Sequence, residues 1–133
     1  VFKAVNDALT YAAPSISQRA AIKALSIRDE IAEAYITKYR DRVFYASDCI
    51  EKIPYLTLLR PRGTFYLFPG IRKTGMDDRT FASFLLEKAH LLVSPGCAFG
   101  KAGEGHFRIA CTVSRDKLED AMKRLAALAP EFE

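Results

Sequence analysis

His106-Phe107-Arg108-Ile109-Ala110-Cys111-Thr112 alternates along its length, with Phe107, Ile109 and Cys111 at one parity and His106, Arg108 and Ala110 at the other. That period of two marks a half-buried strand whose apolar parity faces a core. Downstream, Ser114 stands where a helix begins, and Leu118, Met122, Leu125 and Leu128 recur at helical spacing before Pro130. Upstream, Pro95-Gly96 stops a short apolar run, Leu91–Ser94. Before that run, Asp77 or Asp78 can cap a helix that turns Phe81, Phe84, Leu85 and Ala89 inward. Further back, Tyr55–Arg60 and Thr64–Phe68 flank Pro61-Arg62-Gly63 and predict a hairpin, with Pro54 ending the helical pattern before it. Residues 15–50 predict one long helix or two with a break near Ser26; Ser15 and Gln18 are spaced as a capping box. The whole predicts an α+β, two-layer α/β sandwich: a small, mostly antiparallel sheet covered by helices on one side.

Composition bounds the function classes. The 133 residues carry 20 Lys+Arg and 16 Asp+Glu, a net +4, with 50% hydrophobic and 27% charged residues. These are globular proportions, which exclude disorder, collagen-like repeats and coiled coil. No apolar run reaches the roughly 18–20 residues of a membrane span. Basic and acidic residues number eight and seven over 1–53, and twelve and nine over 54–133. No basic block of a nucleic-acid tail is present. Cys49, Cys97 and Cys111 form no Cys-x-x-Cys or Cys/His cluster, which predicts reduced thiols in a cytoplasmic protein and no metal site. The chain opens Val1-Phe2-Lys3 with no initiator Met and no signal-peptide pattern, which suits a piece of something longer. All seven glycines lie between Gly63 and Gly105, so the loops there are the place to look for a site.

Arg108 is the residue that a purely structural strand explains least. Its planar fork suits a carboxylate or phosphate; the alternative is a surface pair with an acid such as Glu104. His106 is most simply a hydrogen-bonded strand residue. The loop from Gly96 to Gly105 fails as a phosphate loop. Gly96 and Gly100-Lys101 are one residue too close, Ala102 replaces Ser or Thr, and a strand follows. Arg62-Gly63-Thr64-Phe65-Tyr66-Leu67-Phe68 approaches the aromatic strand of RNA-recognition modules, but no second such strand precedes it and no basic stripe accompanies it. No nucleophile triad and no distinguishable carboxylate pair emerges.

Several linked motifs do converge. Pro61-x-Gly63-Thr64-Phe65-Tyr66-x-Phe68-Pro69 is followed by Phe81-Ala82-x-x-Leu85-Leu86-Glu87, and then by Val93-x-Pro95-Gly96-x-x-Phe99-Gly100. Gly103-Glu104-Gly105-His106-x-Arg108-Ile109 and Leu118-x-x-Ala121-x-x-Arg124-Leu125 complete the series. In order and spacing this resembles the C-terminal small domain of class I/II (fold-type I) aminotransferases, the enzymes that use pyridoxal phosphate. Ser17-Gln18-x-Ala20-Ala21-x-x-Ala24-Leu25 is similar to their long connecting helix, and the likeness spans about residues 14–125.

The resemblance implies that Arg108 clamps the substrate α-carboxylate and that Phe65 lines the substrate side of the pocket. It gives His106 no catalytic role. It implies that residues 1–13 are a remnant of an upstream large domain and that residues 14–133 are the small domain. Pyridoxal 5'-phosphate, its Schiff-base lysine and its phosphate cup would belong to that missing domain, so the chain alone would be inactive. An apolar face would be left where that domain docks. The parent enzyme would be a cytoplasmic homodimer that moves an amino group from an amino acid to a 2-oxo acid, with no nucleic-acid or membrane partner. Two other readings stay open: a stand-alone carboxylate-binding module built on Arg108, and an RNA-binding module built on Arg62, Phe65 and Tyr66.

Overall fold

Helical periodicity over residues 15–50 is realised as two helices, α1 (Ser15–Ser26) and α2 (Arg28–Ile50), in the computed structural model, which describes Val5 and residues 12–132. The break falls at Ile27, one residue past Ser26. Ser15 does not cap α1. Pro14 holds the N-cap position, and Gln18 instead donates its side-chain N–H to the Ala13 carbonyl at 2.7 Å. Asp29 and Glu30 in the first turn of α2 complement its positive end.

The chain divides into two compact units, Val1–Ile36 and Thr37–Glu133. Most of residues 1–13, expected as the remnant of a preceding domain, lie outside the described residues. In the first unit α1 buries none of its side chains. Its apolar positions Ile16, Ile22 and Leu25 are 78%, 68% and 74% exposed.

The second unit holds the core. Its remaining elements are β1 (Tyr66–Leu67), α3 (Asp78–Ala89), β2 (Ser94–Pro95), β3 (Phe107–Ala110) and α4 (Arg115–Ala126), with short 3-10 turns between and after them. The three strands form an antiparallel sheet in the order β1-β3-β2, with Tyr66 opposite Ala110, Leu67 opposite Ile109, and Ser94 opposite Arg108. Leu67, Phe107 and Cys111 point to the core. There they meet Val43, Ala46 and Ile50 of α2, Phe81 and Leu85 of α3, and Leu118, Met122 and Leu125 of α4. Phe81 and Phe107 are fully buried with ring centroids 5.2 Å apart. Each such ring contributes about 1.5–3 kcal/mol through its removal from water. The fold class is therefore α+β, as the patterning implies.

Two expected strands fall elsewhere. Tyr55–Arg60 forms no strand; Thr57 alone bridges Gly70, each amide donating to the other's carbonyl. The apolar residues of that run are used as a plug. Tyr55 and Leu56 are buried, and the Tyr55 hydroxyl donates to the Leu125 carbonyl. The hairpin is thus replaced by a long loop, and β1 pairs with β3 instead. Leu91–Ser94 yields only Ser94 to β2. His90 takes φ 52° after α3, and the amides of His90 and Leu91 close onto Leu86 and Leu85 carbonyls, so Leu91 belongs to the helix cap.

Burial pushes the Cys111 thiol up to about 11, and the charge of Arg42 opposes that shift only in part. A thiol whose folded value is raised stabilises the fold below the ordinary value near 9, and that contribution is lost as pH rises toward 11. Burial also raises Tyr55 above its ordinary value of 10, so its loss joins at higher pH. Guanidinium unfolding midpoints should hold up to about pH 9 and then fall. Replacing Cys111 by alanine should remove the early part of the fall, worth roughly 2–3 kcal/mol in full. An identical profile in both proteins would assign the early fall to another group.

Candidate functional site

The face of the sheet opposite the core carries the side chains that alternation set apart. Arg108 lies half-buried in β3, and Ser94 sits beside it across the β2 pairing. The Arg108 guanidinium carbon lies 4.3 Å from the Tyr66 ring centroid and 4.5 Å from that of Phe99. Two aromatic faces therefore hold one cation, a favourable electrostatic arrangement that also limits the rotamers of the long side chain. Its one hydrogen-bond partner among the described residues is the Ser94 hydroxyl, at 3.5 Å. None of the five salt bridges among the described residues involves Arg108. The pair with Glu104 weighed for the sequence is not formed. What the rings present is a fixed guanidinium fork with unused N–H donors, which is the equipment for binding a planar anion.

Phe65 belongs to the same row of rings. It lies 4.4 Å from Tyr66 and 5.6 Å from Tyr39 of α2, so Tyr66 links it to Arg108. The preceding Thr64 is held at φ 68°, an uncommon backbone state for a β-branched residue, and Phe65 accepts the Cys111 amide at 2.9 Å. The rings of Phe65 and Tyr66 thus spend faces on each other, on Tyr39 and on Arg108, rather than presenting the open platform that base stacking needs. His106 stacks flat on Phe68 at 5.1 Å, and its Nδ1 lies 3.0 Å from the Glu104 carbonyl.

The turn after β2 brings Phe99 over Arg108. It depends on two glycines whose backbones cross. A Cβ on Gly96 would lie 2.0 Å from the Gly103 carbonyl oxygen, and one on Gly103 would lie 2.1 Å from that of Gly96. Gly96 also donates its amide to the His106 carbonyl at 2.8 Å, which ties the loop to β3. Sequence reasoning singled out Arg108 and Phe65 but passed over Tyr66, Ser94 and Phe99 as partners of the guanidinium. Alternation set Tyr66 apart from the buried Leu67, but its place beside Arg108 follows from the β1–β3 pairing that the expected hairpin did not include; nothing local signalled Phe99.

The sequence model of the family described as "Aminotransferase class I and II" matches residues 2–125. The chain belongs to the class I and II aminotransferases. An aspartate aminotransferase of Pyrococcus horikoshii is 38% identical over 113 residues, which cover 84% of this chain and 29% of that protein. Among solved structures, apo-BacF of Bacillus subtilis superposes with a TM-score of 0.79 at 30% identity, over 98% of this chain and 33% of that one. A putative aminotransferase of Clostridium difficile 630, solved with pyridoxal phosphate bound, gives 0.73 at 25% identity, over 80% of this chain and 28% of that one. The aminotransferase chain described here therefore spans about a third, or less, of the length of these relatives. No helix among its described residues is long and apolar enough to cross a membrane.

Proposed function

We infer that this chain is the C-terminal small domain of a pyridoxal-phosphate-dependent aminotransferase, and that Arg108 supplies the grip on the α-carboxylate shared by the amino-acid and 2-oxo-acid substrates. The observation that carries the reading is the Arg108 guanidinium, seated between Tyr66 and Phe99 without an acidic partner among the described residues. A bidentate pair with a carboxylate would fix both position and orientation of the substrate, which is where much of a catalyst's advantage lies. Phe65 and Tyr66 back this grip and form the apolar wall beside it. Residues 14–133 make up the small domain, and residues 1–13 the end of the preceding one. The exposed apolar positions of α1 fit a helix that another domain covers.

The residues gathered at Arg108 do not fit the cofactor itself. Tyr66, Ser94 and Phe99 offer no amine that could bind the pyridoxal aldehyde and no cup for a phosphate. The electron-withdrawing chemistry that the cofactor supplies when bound thus rests on residues elsewhere in the whole enzyme, of which the homodimeric, cytoplasmic form is part of the same reading. The test is amino transfer by the intact protein that carries this chain. Alanine, aspartate, glutamate and phenylalanine would each be paired with 2-oxoglutarate or pyruvate, and the new amino acid quantified. Transfer from at least one donor is expected. Failure with every pair in protein reconstituted with pyridoxal phosphate would overturn the reading.

A further inference from the structure

Asp78 is a carboxylate with an unusual assignment. It is the first residue of α3, where an acid favours the helix dipole, yet the N-cap work is done by its neighbour. Asp77 accepts the amides of Arg79 and Thr80 at 2.9 and 3.1 Å and the Thr80 hydroxyl at 2.6 Å. Asp78 is turned inward and is only 5% exposed. One of its oxygens accepts the Cys97 amide at 2.8 Å, and the other accepts the Gly105 amide at 2.6 Å. No salt bridge among the described residues involves it. A buried carboxyl group is costly unless its oxygens find hydrogen-bond donors, as both do here in two backbone amides.

Those two amides bracket one segment. Cys97 opens the loop and Gly105 closes it, and between them lies Phe99, whose ring covers Arg108. Gly105 sits at φ 77°, and while its amide turns to Asp78 its carbonyl accepts the Ile71 amide at 2.9 Å. One carboxylate therefore clamps both ends of the loop that forms one wall of the guanidinium slot. We propose that Asp78 is a positioning residue for substrate binding: by holding Cys97 and Gly105 it keeps Phe99 on Arg108 and so keeps the guanidinium aligned for the α-carboxylate. This rests on the reading of Arg108 given above. It does not require Asp78 to touch substrate.

The consequence is specific, because a grip on the α-carboxylate is common to every substrate. In the intact, cofactor-loaded protein, Asp78→Asn places an amide N–H against a backbone N–H and leaves that donor unsatisfied. KM should rise roughly tenfold, by a similar factor for aspartate, alanine and phenylalanine, with the preference among them unchanged. Hydrogen exchange of the segment 97–105 should accelerate in the same variant. In an Arg108→Ala background, Asp78→Asn should add nothing further to KM, since the group it aligns is gone. Phe99→Leu removes the ring without touching the clamp and is expected to raise KM similarly, which keeps the test open if Asp78→Asn folds poorly. A loss confined to one substrate, or an Asp78→Asn effect that persists in full without Arg108, overturns the proposal. So does unchanged exchange of the loop, or an unchanged KM in Phe99→Leu. If Arg108→Ala itself leaves KM unchanged, the Arg108 reading falls, and the proposal falls with it. If Arg108→Ala raises KM while Asp78→Asn does not, only the proposal falls.

Discussion

Arg108→Ala in the intact protein is expected to lower kcat/KM by about two to three orders of magnitude, for amino acids and 2-oxo acids alike. Truncating one member of a desolvated, hydrogen-bonded charge pair costs on the order of 2–5 kcal/mol, and each 1.4 kcal/mol is about a factor of ten. The guanidinium is already held between two rings, 4.3 Å from the Tyr66 centroid and 4.5 Å from that of Phe99, so little side-chain freedom would remain to be lost on binding an anion. Arg108→Lys should recover only part of the loss. An ammonium keeps the charge but cannot offer two parallel donors, and it would fill the space between the rings poorly. Steady-state kinetics for both half-reactions check this. A defect seen with amino acids but not with 2-oxo acids would mean that Arg108 grips something other than the carboxylate they share.

The legibility of this site in the sequence was uneven for physical reasons. Arg108 could be found because strand parity is local: Phe107 and Cys111 must face the core, so the residue between Phe107 and Ile109 must face away. The helices α3 and α4 were legible for the same kind of reason, with Phe81, Leu85 and Ala89, and Leu118, Met122 and Leu125, buried at the expected spacing. The hairpin was not. Tyr55 and Leu56 are apolar because they plug the core beside Leu125 rather than because they alternate in a ladder, and Leu59 is 92% exposed. Composition cannot separate those two uses of a β-rich run. Phe99 and Asp78 were beyond local reading altogether. The Asp78 carboxylate was one of two candidate caps by sequence; only the fold shows that Asp77 caps α3 while Asp78 reaches residues 19 and 27 positions away. The family was legible all the same, since motifs matched in series do not depend on which runs become strands.

Phe107→Ala should have the opposite profile from its neighbour: a loss of about 3–5 kcal/mol in stability. The ring is fully buried at the centre of the sheet, packs 5.2 Å from Phe81, and belongs to the same cluster as residues of all three surrounding helices. Its strand position leaves little room for collapse around the cavity. The Phe107 backbone donates to Pro69 and pairs with Pro95, so β3 cannot shift to fill the space without breaking the sheet on both edges. Domains are stable by only about 5–15 kcal/mol, so the substitution consumes a large fraction of the whole. Arg108→Ala, one residue along, removes a half-buried side chain from the open face and should change stability by about 1 kcal/mol or less. Guanidinium unfolding of the two variants, followed by midpoint and slope, separates the roles. If Phe107→Ala proved the milder of the two, β3 would be facing the wrong way, and with it the assignment of Arg108 to the open face would fail.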